Sequence, residues 1–249
     1  MPEGDTIERI AQRLQPLVGT VPAIATPQPR TAALRLSERL AGQALQRIEA
    51  RGKHLLLVFE SGSAIHVHLR MTGRFRIAPI DEPIRGPAHQ IWLELTGAGL
   101  HAVLFNGPVL ELLTPAQLSL HPALRRLGGD VLDEGFDAKA AVRRLRGRDP
   151  SDAIGSALLD QRMLAGIGNV WRSEVLHAVG VAPGRELRNL DDATLELIAQ
   201  TAATLMSGRR PRAVYGRTGK ACPRCGAAVT SAVVGNDGRR SYWCPGCQR

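Results

Sequence analysis

Aromatic side chains make up only 4% of the 249 residues: three Trp, two Tyr and four Phe. The core must therefore be built mainly from Leu, Val, Ile and Ala. At 44% hydrophobic residues there is enough apolar surface for a packed core, which excludes a disordered chain. Long apolar runs are missing. The longest aliphatic stretch, Leu55-Leu56-Leu57-Val58, falls far below the ~20 residues needed to span a bilayer, so no membrane partner is expected. Residues 1–20 interleave acids and bases without an apolar h-region, so no secretory signal is read and a soluble, cytoplasmic protein is expected. Acidic residues are also short, 23 against 32 Lys and Arg, and the net charge of +9 points to a polyanionic partner, most often nucleic acid. The imbalance is concentrated in residues 207–249, where nine basic residues, Arg209 and Arg210 among them, face the single acid Asp237. Cysteine is limited to four, which in a reducing compartment favours metal binding over disulfides.

What is present divides along the chain. Ile7, Ile10, Ala11 and Leu14 recur at helical spacing, predicting an amphipathic helix over 5–16. From about Ala44 to Leu113 short β runs alternate with turn residues: 54–60, 63–69, 73–78, 90–95 and 101–105, with breaks at Ser61-Gly62 and Thr96-Gly97. That succession predicts an antiparallel sandwich. Apolar positions at helical spacing follow over 137–146, 151–163, 171–178 and 191–206, and the last 40 residues are again turn- and β-like. The expected organisation is α+β: a sandwich domain over 1–117, a connection over 118–134, a helical domain over 135–207 and a zinc-binding segment over 208–249.

Four groups of residues carry chemistry. Cys222-Pro223-Arg224-Cys225 and Cys244-Pro245-Gly246-Cys247 are two C-x2-C pairs separated by eighteen residues, suited to one structural, tetrahedral Zn²⁺. The spacer fits a hairpin closed at Asn236-Asp237-Gly238, with Arg239 and Arg240 available to phosphate. Lys53, between Gly52 and His54 at a strand entrance, suits a phosphate clamp or an acid/base group. Gly166-Ile167-Gly168-Asn169 reads as a tight turn between helices, with an exposed amide at the next helix start and an Asn side chain suited to phosphate. Finally, Pro2 and Glu3 follow Met1. Trimming of Met1 would free a secondary amine beside a carboxylic acid, and a free α-amine titrates near ~7.7–8.0, so part of it is nucleophilic at neutral pH.

In order, Pro2-Glu3-Gly4, Gly52-Lys53-His54, His68-Leu69-Arg70-Met71-Thr72-Gly73, Gly166-Ile167-Gly168-Asn169, Val214-Tyr215-Gly216-Arg217 and the C-x2-C pairs span essentially the whole chain. Together they resemble the formamidopyrimidine-DNA glycosylase/endonuclease VIII family of base-excision repair enzymes, and among these a bacterial endonuclease VIII-like enzyme. The resemblance implies an N-terminal β-sandwich with a leading helix, a helix–two-turn–helix domain and a zinc-ribbon hairpin. It implies a bifunctional DNA glycosylase/AP lyase in which Pro2 attacks C1′ of a damaged nucleotide and forms a Schiff base. Glu3 then matches the acid that protonates the sugar oxygen, Lys53 the lysine that assists base loss and β-elimination, and Arg239 the zinc-hairpin arginine of phosphate binding and δ-elimination. Asn169 and Tyr215 match phosphate contacts and Glu174 a carboxylate near the active site; Arg126 and His89 resemble backbone-contacting positions more loosely. Met71 occupies the wedge position that fills the space left when a nucleotide leaves the stack. The implied partner is damaged DNA, as duplex, bound by a monomer.

Three departures narrow this. Thr6 stands where the family often has a glutamate. Asn106–Glu111 offers neither the arginine nor the phenylalanine with which the formamidopyrimidine branch fills the void, and Met206–Tyr215 is too short for that branch's long loop over oxidised purines. The last two favour oxidised pyrimidines as substrates. The missing carboxylate at Thr6 is the one feature favouring an alternative, a non-catalytic DNA-damage-binding protein on the same scaffold.

Overall fold

A computed structural model describes residues 2–82, 84–208, 211–235 and 237–249. Met1, the cations Arg209 and Arg210, and Asn236 of the expected hairpin turn lie outside the described residues. The chain divides into two compact units: Met1–Pro2 with Thr6–Arg125, and Glu3–Asp5 with Arg126–Arg249.

The first unit is the β-sandwich. One four-stranded sheet has the order β1 (Ala23–Ala25), β6 (Ile91–Gly97), β7 (Leu100–Phe105), β5 (Arg74–Pro79). The other runs β2 (Leu45–Arg51), β3 (His54–Phe59), β4 (Ala64–His68), β8 (Val109–Leu113), and every pairing in both sheets is antiparallel. Leu55, Leu57 and Phe59 alternate onto one face of β3 and share a core with Leu93, Leu95 and Leu104 of the other sheet. The helix α1 (Gly4–Leu14), continued by a 3-10 turn over Gln15–Leu17, lays Ile7, Ile10, Ala11 and Leu14 into that same core, and two short helices, α2 (Pro29–Ala32) and α3 (Leu36–Arg39), follow β1. Among the described residues Phe59 is the core's one fully buried aromatic, and aliphatic residues supply most of the rest.

Turn chemistry decides the registers. Arg51 pairs with His54, leaving Gly52 and Lys53 as a two-residue hairpin loop, and Gly52 has φ +59. A first central residue in the left-handed region is what a type II′ turn requires, and it puts Lys53 at the hairpin tip. The break expected at Thr96-Gly97 falls two residues later: Ala98 (φ +47) and Gly99 (φ +74) form the turn, and Gly97 ends β6. The positive φ of an alanine is not legible in sequence.

The stretch read as a connection is more ordered than expected. Thr114 and Gln117 form a capping box around Pro115, starting α4 (Pro115–Leu120), and α5 (Pro122–Arg125) follows. Residues 129–130 form β9 (Gly129–Asp130), which pairs in parallel with β10 (Leu164–Ala165) in the second unit. Gly128 allows this approach, since a Cβ there would lie 2.3 Å from the Met163 carbonyl oxygen.

The second unit also holds α6 (Ala138–Arg146), α7 (Ile154–Leu159), α8 (Asn169–Val179), α9 (Asp192–Met206) and the hairpin β11 (Thr230–Val233) with β12 (Arg240–Trp243). Asp137 and Asp191 cap α6 and α9 through Ala140 N and Thr194 N. The helix expected over 151–163 shrinks to α7, because Asp160 leaves helical geometry and turns its carboxylate onto Arg162 and Arg148. Among the described residues no helix is long and apolar enough to cross a membrane. Replacing Gly52 with Ala forces a side chain into the left-handed region, so urea unfolding is expected to show a loss of about 1–2 kcal/mol.

Candidate active site

Gly168 precedes α8 and has no side chain to cap it. The cap comes from Glu3. Its carboxylate accepts the Gly168, Val170 and Trp171 N–H groups at 3.1, 2.8 and 3.1 Å, and the residue is 1% exposed. Two glycines make room: a Cβ on Gly168 would lie 2.3 Å from Glu3 Cδ, and one on Gly4 would lie 2.8 Å from Gly166 Cα. The exposed amide expected at this helix start is therefore not there. The first-turn N–H groups are orphans in any helix, and here Glu3 takes them.

Asn169, the first residue of α8, is buried. Its Nδ2 donates to the Arg240 carbonyl at 3.1 Å and its Oδ1 accepts from Arg172. Arg172 is 0% exposed and also reaches Asp237 at 2.8 Å; burial pushes its guanidinium below the usual range, with Asp237 opposing. Asp237 further accepts Ser156 Oγ at 2.9 Å and the Arg239 N–H at 2.7 Å. One buried cation thus ties the loop before β12 to the start of α8. Arg239 leaves its side chain exposed beside this knot, whereas Arg240 folds back onto Ser231. Arg172 and Asp237 were not among the sequence candidates for this site; the only signal was their position three residues after Asn169 and two before Arg239.

Glu174, expected as a carboxylate near the active site, is buried with both oxygens committed to backbone. It accepts from Ala213 N (2.7 Å), Val214 N (3.1 Å) and Tyr215 N (2.8 Å), and so shapes the loop that carries Tyr215 rather than presenting a free carboxylate. The Tyr215 ring meets Tyr242 edge-on at 4.9 Å, with the Arg212 guanidinium over its face at 5.2 Å. Burial, then Tyr242 and Glu3, raises the Tyr215 hydroxyl above its usual range.

The four cysteines come together without disulfides, their sulfurs all within 4.8 Å of one another. Cys222–Cys247 and Cys225–Cys244 separations of 3.9 and 3.4 Å bracket the edge of about 3.8 Å expected for a tetrahedron with ~2.3 Å zinc–sulfur bonds. Burial opposes the Cys222 thiolate, but the Arg224 N–H and His177 outweigh it and bring that thiol down to about 6. These donors suit a zinc ion, held by all four sulfurs with His177 as outer partner.

In the first unit, Lys53 stands half-buried at its hairpin tip and Pro2 is half-buried. His68 nearby is kept neutral: burial first, then Arg70, His66 and Lys53, press it down to about 4. Met71 is 66% exposed, clear of the core, and it follows Arg70 in the left-handed region at φ +48. His89, on a short 3-10 turn (Ala88–Gln90), and Arg126, at the start of the second unit, are both exposed. The second unit therefore gathers Glu3, Asn169, Arg239 and Tyr215, and the first carries Pro2, Lys53, Met71 and His89.

Residues 1–108 match the formamidopyrimidine-DNA glycosylase N-terminal domain and residues 127–213 the H2TH domain of the same enzymes. Over its full length the chain is 38% identical to a probable endonuclease 8 of Streptomyces coelicolor, 94% of which is covered. The chain belongs to the formamidopyrimidine-DNA glycosylase/endonuclease VIII family. Endonuclease 8 of Escherichia coli is 31% identical with both chains fully covered. The crystal structure of the Lactococcus lactis formamidopyrimidine-DNA glycosylase bound to DNA with an AP site superposes with a TM-score of 0.82 at 26% identity, covering 99% of each chain. As a family member this chain is a DNA glycosylase and AP lyase with a DNA-binding, α+β architecture.

Gly168→Ala tests the Glu3 anchor. The backbone there is extended, so the effect is steric: the new methyl expels the carboxylate and leaves buried amides unpaired, at a cost of about 1–3 kcal/mol. Strand nicking is expected to fall with thermal stability, whereas Gly135→Ala, with nothing within 4 Å, should leave both unchanged.

Proposed function

We propose that this enzyme is an endonuclease VIII-like bifunctional glycosylase that removes oxidised pyrimidines through an imine on Pro2. The observation that carries the reading is the burial of Glu3 on the α8 amides. It leaves the Pro2 nitrogen one peptide unit, about 3.8 Å between Cα atoms, from a rigid anchor. Positioning of that kind turns a moderately basic amine into an effective nucleophile. The amine nitrogen bonds to C1′ as the C1′–base bond breaks. Glu3 protonates O4′ as the sugar ring opens, and three N–H donors stabilise the carboxylate left behind. The resulting iminium acidifies C2′, and loss of a proton there expels the 3′ phosphate; Lys53 assists base loss and this β-elimination. Arg239 and Asn169 belong to the phosphate contacts, the first through an exposed guanidinium and the second by fixing the start of α8. Arg239 further supports δ-elimination of the 5′ phosphate. Exposed Met71 is a suitable wedge for the space left by the extruded nucleotide. One structural zinc in the cysteine cluster holds the hairpin that carries Arg239.

Duplex DNA bound by a monomer is the proposed substrate complex. The preference for pyrimidines is supported by the short Met206–Tyr215 segment and by Asn106–Glu111, which lacks a void-filling Arg or Phe. A relative from Lactococcus lactis has been crystallised with DNA containing an oxidised pyrimidine.

Two measurements check the reading. Borohydride reduction of the enzyme with an abasic duplex should give a covalent adduct, with intact mass establishing that Pro2 is N-terminal. No adduct from protein lacking Met1, or an undiminished one after Pro2→Gly with a blocked terminus, would overturn it. On single-lesion duplexes, thymine glycol should be excised at least tenfold faster than 8-oxoguanine; the reverse order would sink the substrate assignment.

A further inference from the structure

Four of the seven histidines lie in one cluster of the first unit, and the proposed lyase chemistry does not use its core. His66 on β4 and Glu111 on β8 are directly opposed in register, so their side chains emerge on the same face. His66 Nδ1 lies 2.7 Å from Glu111 Oε2. His121, at the corner between α4 and α5, brings its Nε2 to 3.5 Å from the same oxygen, and its ring packs edge-on against His66 at 4.8 Å. One ligand atom from each of the three falls within 4.8 Å of the other two.

We infer that His66, Glu111 and His121 form a second metal site, separate from the cysteine cluster, that takes a divalent first-row transition ion such as Zn²⁺. Two imidazoles and a carboxylate are a donor set that favours zinc over magnesium or calcium, which prefer all-oxygen shells. Bonds of ~2.0–2.1 Å place tetrahedral ligands about 3.3 Å apart, so the 3.5 Å pair is already near its bound separation and the 2.7 Å pair need open by only about half an ångström. The outer shell is in place. His66 Nε2 faces His54 Nδ1 at 2.8 Å, and the two rings stack at 5.1 Å, so His54 orients the ligating imidazole. Glu111 is 46% exposed, which opens the site to entering ions, while His66 is buried and holds its position. When the ion binds Nε2 of His121, the proton moves to Nδ1 and the long 3.4 Å contact from the Leu124 N–H is given up. Three protein ligands leave a fourth position for water. The site pins the α4–α5 corner to the sheet just before the chain passes at Arg126 into the second unit.

The test is metal counting on the full protein. Wild-type enzyme dialysed against excess Zn²⁺ and then freed of loose ion by gel filtration should carry two zinc ions per chain by mass spectrometry. His121→Ala and Glu111→Gln should each carry one. Both replace partly exposed residues, and retention of one ion by the cysteine cluster together with an unchanged far-UV circular dichroism spectrum reports that the fold is intact. Cobalt substitution separates the sites: the cysteine site shows thiolate-to-cobalt charge transfer, and the second equivalent should add only weak visible bands, absent from both variants. One zinc per chain in saturated wild-type protein overturns the inference. So do two ions in wild-type and variants alike, which would put the second ion elsewhere.

Discussion

The start of α8 depends on one contact, the carboxylate of Glu3 on its first-turn N–H groups. A helix start buried without partners for its N–H groups is costly, and the residue before α8 is a glycine that cannot cap it. Glu3 meets that need from the far end of the sequence and is itself held with the accuracy of a core residue. For the role proposed for Pro2 this matters, because a nucleophile on a fraying terminus would spend most of its time out of line. A nucleophile joined by one peptide bond to a triply hydrogen-bonded, buried anchor does not. The glycines at 4 and 168 are the steric condition for this contact, since a methyl group at either would occupy space already taken.

The same device recurs at Glu174, whose oxygens gather the 213–215 amides. A third carboxylate, Asp237, receives the buried Arg172 and the Arg239 N–H. At Glu174 and Asp237 the acid is consumed in holding the fold, and what stands beside it is a half-buried aromatic ring in the first case and an exposed cation in the second. That division explains how a unit that holds 15 of the chain's 23 acids still presents positive charge to a polyanion. The zinc-suited cysteine cluster extends it: four sulfurs set the hairpin, and Arg172 ties the loop before β12 to the helix that Glu3 caps.

In the first unit the constraint is turn geometry. Gly52 puts Lys53 on a hairpin tip, and the left-handed Arg70 throws Met71 outward although the sequence around it alternates as a strand. Beneath them His54 and His66 are buried and His68 half-buried on adjacent strands, where loss of solvent keeps them neutral, so the local positive charge belongs to Lys53 and Arg70.

Local pattern was enough for much of this. The short apolar run of β3, helical spacing in α1, α6 and α9, the two C-x2-C pairs and the ordered motifs from Pro2 to Cys247 all depend on near neighbours, and from them the α+β class, the family and the cysteine cluster were legible. Their limits are equally local: the turn at Ala98, the capping box at Thr114 and the early end of α7 at Asp160 each turn on one residue's conformation. Contacts between residues far apart in sequence are another matter. No spacing rule joins Glu3 to Val170, Arg172 to Asp237, Glu174 to Tyr215 or His66 to His121, and no alternation says that Met71 faces outward. Composition and periodicity decided which elements form and what chemistry is available. Only the folded chain decided which acids are spent on backbone amides and which groups remain free to act, because burial and hydrogen-bond saturation depend on packing that neighbouring residues alone do not specify.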